Sequence, residues 1–97
     1  MNTDQRILEE RALINALDAS LDARRAPYLK SQLRFAGHML DDAQVALAHA
    51  AKAGPTDAGM WLGFAEINIE NAIQRREKVE DVINKYGGAS NVMEIAA

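Results

Sequence analysis

The chain contains no cysteine, which excludes disulfides, thiolate metal sites and a cysteine nucleophile and leaves a reducing compartment fully compatible with it. Proline is confined to Pro27 and Pro55, and aromatic residues make up only 5% of the sequence. A core built on this composition consists mainly of Ala, Leu and Ile, which suits thin helices that approach one another closely. No run of apolar residues reaches the length of a membrane span. The opening Met1-Asn2-Thr3-Asp4-Gln5-Arg6 lacks the basic patch and apolar run of a secretory signal. These absences lead to the expectation of a soluble, untargeted, cytoplasmic protein. Charge of one sign is also scarce: 11 basic and 14 acidic residues give a net charge of −3, and neither half is basic. Wholesale binding to a phosphate backbone is disfavoured on that count.

Ninety-seven residues are enough for one domain and leave no room for a second. The apolar fraction of 48% argues against disorder. Within it, Leu29, Leu33, Ala36, Leu40, Ala43, Leu47 and Ala50 recur at alternating spacings of four and three. Leu62, Ala65, Ile69, Ala72, Arg76, Val79, Ile83 and Tyr86 do the same. A stripe with a period near 3.5 residues stays buried only against other helices crossing at a shallow angle.

A first helix is expected from a cap at Asn2 or Thr3, carrying Ile7, Leu8, Leu13, Ile14, Leu17 and Leu21. It ends near Arg24 to Ala26, because Pro27 disfavours helical geometry in the residue before it and suits the first turn of the next helix. The second helix runs from Pro27 to Lys52, with Phe35, Met39, Val45 and Ala46 on a flanking face, so it is expected to touch two neighbours. Gly54-Pro55-Thr56-Asp57 separates it from the third, with Thr56 as the expected cap. The third helix runs to about Tyr86, and Gly87-Gly88 ends it. The expected fold is all-α: an antiparallel bundle of three long helices. It occupies residues 1–88, followed by a short C-terminal turn or tail at 89–97. The third helix outlasts the first by about ten residues, so part of its stripe is left uncovered. That mismatch predicts completion by a homodimer or by a partner.

No constellation of catalytic, cofactor or metal-binding residues stands out. His38 and His49 lie about 16 Å apart along one helix, too far to share an ion. Glu66, Glu70, Glu77, Glu80 and Asp81 lack the Glu-x-x-His pair of bundle metal sites and read as a solvated face with Arg75, Arg76 and Lys78. Gly59 and Gly63 suggest close helix packing. Ser20, Ser31 and Ser90 have no nucleophile-elbow context.

Arg76 stands where the stripe calls for Ile or Leu. A charge there is either exposed to water at the stripe end or paired with a carboxylate across an interface, where it sets register. Arg24, Arg25, Lys30 and Arg34 bracket Tyr28 and form the largest local cationic patch, partly offset by Asp18 and Asp22. The expected activity is therefore binding to a protein partner, by masking or bridging, and not catalysis. The candidate contact residues are Arg75, Arg76, Glu66, Glu70, Trp61, Arg24, Arg25 and Tyr28. Phage-encoded inhibitors of nucleic-acid-handling machinery, anti-CRISPR proteins among them, are comparable in size and charge alone. An alternative is a DNA-binding helix-turn-helix over residues 58–76, with its turn at Gly63 and with Asn68, Asn71, Gln74 and Arg75 facing DNA.

Overall fold

The computed structural model describes residues 2–94. Three helices occupy most of that span: α1 (Thr3–Ser20), α2 (Pro27–Lys52) and α3 (Pro55–Lys85), followed by a single 3-10 turn at Ala89–Asn91. No helix among the described residues is long and apolar enough to cross a membrane. The molecule is elongated, 55 × 24 × 17 Å.

Local chemistry sets the helix limits. The Asn2 side chain accepts from the backbone N–H of Gln5 at 2.8 Å, and Asp4 sits in the first turn, where the helix dipole favours an acid. Helix α1 stops at Ser20, earlier than expected, because the next residues form a side-chain-stabilised turn. There Asp22 Oδ1 accepts from Arg24 N at 2.7 Å and Arg25 N at 3.2 Å. These bonds hold the Asp22 carboxyl below its ordinary pKa of 3.8. Both later helices begin at proline, whose fixed φ suits the first position. Helix α3 therefore starts one residue ahead of Thr56, which lies inside the helix and does not cap it. At the other end, the backbone N–H groups of Gly87 and Gly88 reach the carbonyls of Asn84 and Ile83. Gly87 has a positive φ of 85°, a geometry that favours glycine.

Only Ala53 and Gly54 separate α2 from α3, and the two pair as a long antiparallel hairpin. Leu29, Leu33, Ala36, Leu40, Ala43 and Ala46 of α2 are buried against Ala65, Ile69, Ala72, Val79 and Ile83 of α3. Ala36, Ala43, Ala65 and Ala72 have no exposed surface, so small layers bring the two backbones together as the stripes predict. The stripe positions near the hairpin end drift out of the core. Ala46 replaces Leu47 as the buried residue, and Leu62 is 46% exposed, as expected when a 3.5-residue pattern is laid on a 3.6-residue helix.

Helix α1 covers one side of this hairpin, antiparallel to α2 and parallel to α3. Ion pairs mark its course: Arg11 with Asp41 at 3.0 Å and Asp18 with Lys30 at 3.2 Å on α2, and Arg6 with Glu66 at 2.6 Å on α3. Its buried residues are Ile7, Glu10 and Ile14. Leu8 and Leu13, expected on its apolar stripe, are 64% and 48% exposed. The stripe instead runs Ile7, Glu10, Ile14, Leu17 and Leu21, with a carboxylate in its second position.

The segment after α3 docks onto the bundle through residue 94. Val92 is buried, and Tyr86 Oη donates to the Met93 carbonyl at 3.1 Å. Ser90 does not cap; its carbonyl accepts from Arg25 Nη1 at 3.1 Å. Most tellingly, the Glu94 carboxylate accepts from Tyr28 N at 2.7 Å and Leu29 N at 2.9 Å. It thereby supplies the cap that Ala26, the residue before α2, lacks. Ile95, expected to contribute to this segment, lies outside the described residues.

Candidate functional site

The eight candidate contact residues do not form one surface. Arg76 turns inward toward α1, where its Nε and Nη2 donate to the two carboxylate oxygens of Glu10 at 2.6 and 2.8 Å. Nη1 donates to Glu80, one turn further along α3. The side chains of Arg76 and Glu10 are 12% and 5% exposed. Hydrogen bonding to Glu10 holds the guanidinium above its already high ordinary pKa. Neither alternative read from the stripe holds: Arg76 is not exposed to water at the stripe end, and its carboxylate partner is in its own chain and not across an interface, where the forked geometry holds α1 against α3.

Glu66 pairs with Arg6, and Glu70 is exposed with no ion pair among the described residues. Trp61 is at the far end of the hairpin. There its ring stacks on His49 with centroids 4.4 Å apart and meets Phe64 edge-on at 5.7 Å. In the expected cationic patch at the α1–α2 connection, Arg24 and Arg34 are exposed with no ion pair among the described residues, whereas Lys30 and Arg25 are engaged. Lys30 Nζ donates to the carbonyls of Asp18 and Leu21 at the end of α1, and Arg25 is engaged by Ser90.

Arg75 and Tyr28, in contrast, meet at one feature. A groove of about 640 Å³ runs between α2 and α3, lined by residues of those two helices alone. Its accessible apolar lining is Tyr28, Met39 and Val82 over the buried Leu29 and Val79, and its amides are Gln32, Asn71 and Gln74. Arg75 and Lys78 supply its charge, and no carboxylate lines it. Arg75 donates to Gln32 Oε1 across the groove, and its guanidinium lies 5.3 Å from the centre of the exposed Phe35 ring. Arg75 and Arg76, adjacent in sequence and about 100° apart around α3, therefore serve the open and the filled side of the hairpin respectively.

Lys78, Gln32 and Val82 were not foreseen as contact residues. Phe35 and Met39 were placed on a flanking face of α2, which was the available signal for an exposed apolar surface there. The second neighbour of α2 is α1, which docks on the other side and leaves that flank open. Gly59 and Gly63 do not mark close packing, because a methyl group built at either would meet nothing within 4 Å. Helix α3 also passes through Gly63 without a turn, so residues 58–76 do not form two helices at an angle. No cluster of residues able to hold a metal ion occurs among the described residues. No protein family matches this chain, and comparison with curated proteins and with solved structures returns no match.

Proposed function

We propose that the protein is a non-enzymatic binding module that masks or bridges a protein partner through the groove between α2 and α3. The observation that carries this reading is the uncovered flank of the hairpin. Tyr28, 65% exposed, and Phe35, 54% exposed, stand beside an apolar floor with two cations at its edge. Large exposed aromatics next to arginine are the side chains that most often dominate binding energy at protein interfaces. The partner-binding set is accordingly Arg75 and Tyr28 of the original candidates, joined by Lys78, Phe35 and Met39. Arg76 belongs to the framework.

Self-association is assigned to the other uncovered surface, the hairpin end. At 18 residues, α1 leaves much of the 31-residue α3 without a third helix. Met60, Leu62 and Phe64 are each about half exposed there. The groove itself is unsuited to a two-fold contact, which would bring the cationic rims of two copies together.

The test is affinity capture from native lysate after nuclease treatment, with the wild-type chain and the double variant Arg75→Glu/Lys78→Glu. Lys78 is exposed and Arg75 half-buried, and neither belongs to the core, so helicity, checked by circular dichroism, should be unchanged. A stoichiometric protein held by the wild type and lost by the variant is the expected result. Equal retention by both would overturn the assignment to this groove.

A further inference from the structure

We infer that the occupant of the groove is an acidic amphipathic helix of about three turns, an inference that rests on the groove being the binding site. Its length follows from the lining: Tyr28 to Met39 on α2 and Asn71 to Val82 on α3 each span about 16 Å, the rise of eleven helical residues. Two antiparallel helices present a shallow trough on each side, and a third helix is the shape that fills one. On the opposite side this chain supplies that third helix itself, as α1.

The two sides of the hairpin are organised alike. On the filled side, an apolar stripe holding Ile7 and Ile14 is interrupted by one carboxylate, Glu10, which Arg76 clasps. The open side offers Arg75, one residue earlier and rotated about 100° around α3, with Lys78 one turn further on. A helix docking there places its apolar residues on Tyr28, Met39 and Val82, above the buried Leu29 and Val79, and its carboxylates on Arg75 and Lys78.

Charge accounting within the fold supports an acidic occupant. Arg6, Arg11, Lys30 and Arg76 each pair with a carboxylate of the same chain. Arg75 bonds to the neutral Gln32, and Lys78, like Arg24, Arg25, Arg34, Lys52 and Lys85, has no ion pair among the described residues. What sets Arg75 and Lys78 apart is that they line a groove to which no carboxylate contributes. The chain as a whole carries a net charge of −3, so a cationic rim free of carboxylates is a local departure from its overall sign. A basic or neutral helix would leave both cations unpaired at a desolvated edge. A second copy applied groove to groove about a two-fold axis would set the cationic rim of Arg75 and Lys78 against the same rim.

The experiment uses two fluorescein-labelled peptides of about 18 residues, long enough to hold a helix when bound. Both carry leucines at i, i+3, i+4 and i+7; one has glutamates and the other lysines at the flanking positions. Anisotropy titrations are run against the full chain and against Arg75→Glu/Lys78→Glu, with Arg75→Gln/Lys78→Gln as a milder pair. The glutamate peptide is expected to bind the wild type at least roughly tenfold more tightly than the lysine peptide. Charge reversal should invert that order, and the glutamine pair should abolish the preference. Equal binding of both peptides, or a preference untouched by the substitutions, overturns the proposal. If capture of the lysate partner depends on Arg75 and Lys78 while the peptides are not distinguished, the groove stands as the site and the acidic helix falls. Loss of both falsifies the two readings together.

Discussion

At the scale of single residues, the Glu10–Arg76 pair carries the clearest energetic consequence. Both side chains are largely removed from water, so deleting one strands the other. Removing one partner of a buried pair costs about 3–5 kcal/mol. Glu80, 40% exposed, still neutralises part of the Arg76 charge. Glu10→Ala is therefore expected to cost about 3 kcal/mol in a urea unfolding titration. Replacing both partners at once, Glu10→Leu with Arg76→Met, should recover most of that loss. A single-variant cost well below about 1 kcal/mol would mean that the pair is solvated and does not hold α1. Half of this pair was legible in the sequence, because Arg76 breaks an otherwise apolar stripe. Its partner was hidden by Leu8 and Leu13, whose hydrophobicity suggested a different face for α1. The spacing Ile7, Glu10, Ile14, Leu17, Leu21 held the missing signal: a charge of opposite sign at an equivalent stripe position.

At the scale of elements, proline, glycine and the Asn2 cap made the helix limits readable to within a few residues, and α2 was placed from Pro27 to Lys52 as found. What could not be read was the end of α1, since the Asp22 turn and the contacts from Lys30 depend on chain that follows it. The glycines inside helices also gave an ambiguous signal. Gly37, Gly59 and Gly63 have open space where a side chain would begin, so each carries the conformational cost of glycine without a packing reason for it. Gly63→Ala is expected to raise the unfolding free energy by about 0.5–1 kcal/mol. Thermal or chemical denaturation followed by circular dichroism measures this. A destabilised Gly63→Ala protein would show that the chain bends or is approached closely at that position.

At the scale of the whole molecule, two surfaces of the hairpin stay uncovered: the cationic, grooved flank opposite α1 and the apolar end beyond the reach of α1. The proposed self-association would use the second. Sedimentation over a range of concentrations should show association of the wild type and a shift towards the 10.6 kDa chain in Leu62→Glu or Phe64→Glu. A wild type that sediments as a single chain throughout would remove self-association from the description. The stripes revealed the bundle, but the groove depends on which flank of α2 receives α1. The filled flank is marked by the buried Ile7 and Ile14, the Glu10–Arg76 pair and the ion pairs of Arg11 with Asp41 and Lys30 with Asp18, and no local pattern in α2 declares it.

The Glu94 clasp gives the chain a particular order of assembly. Its bonds to Tyr28 and Leu29 join residues 66 and 65 positions apart, whereas the α2–α3 hairpin zips outward from a two-residue connection. Contacts between sequence neighbours form fast, and distant ones wait on loop closure. The hairpin is therefore expected to assemble first and the clasp last, and Glu94→Ala should speed unfolding more than it slows folding in stopped-flow kinetics. The C-terminal segment acts as a bolt shot home on a finished frame: it contributes little to how quickly the bundle forms and more to how slowly it comes apart.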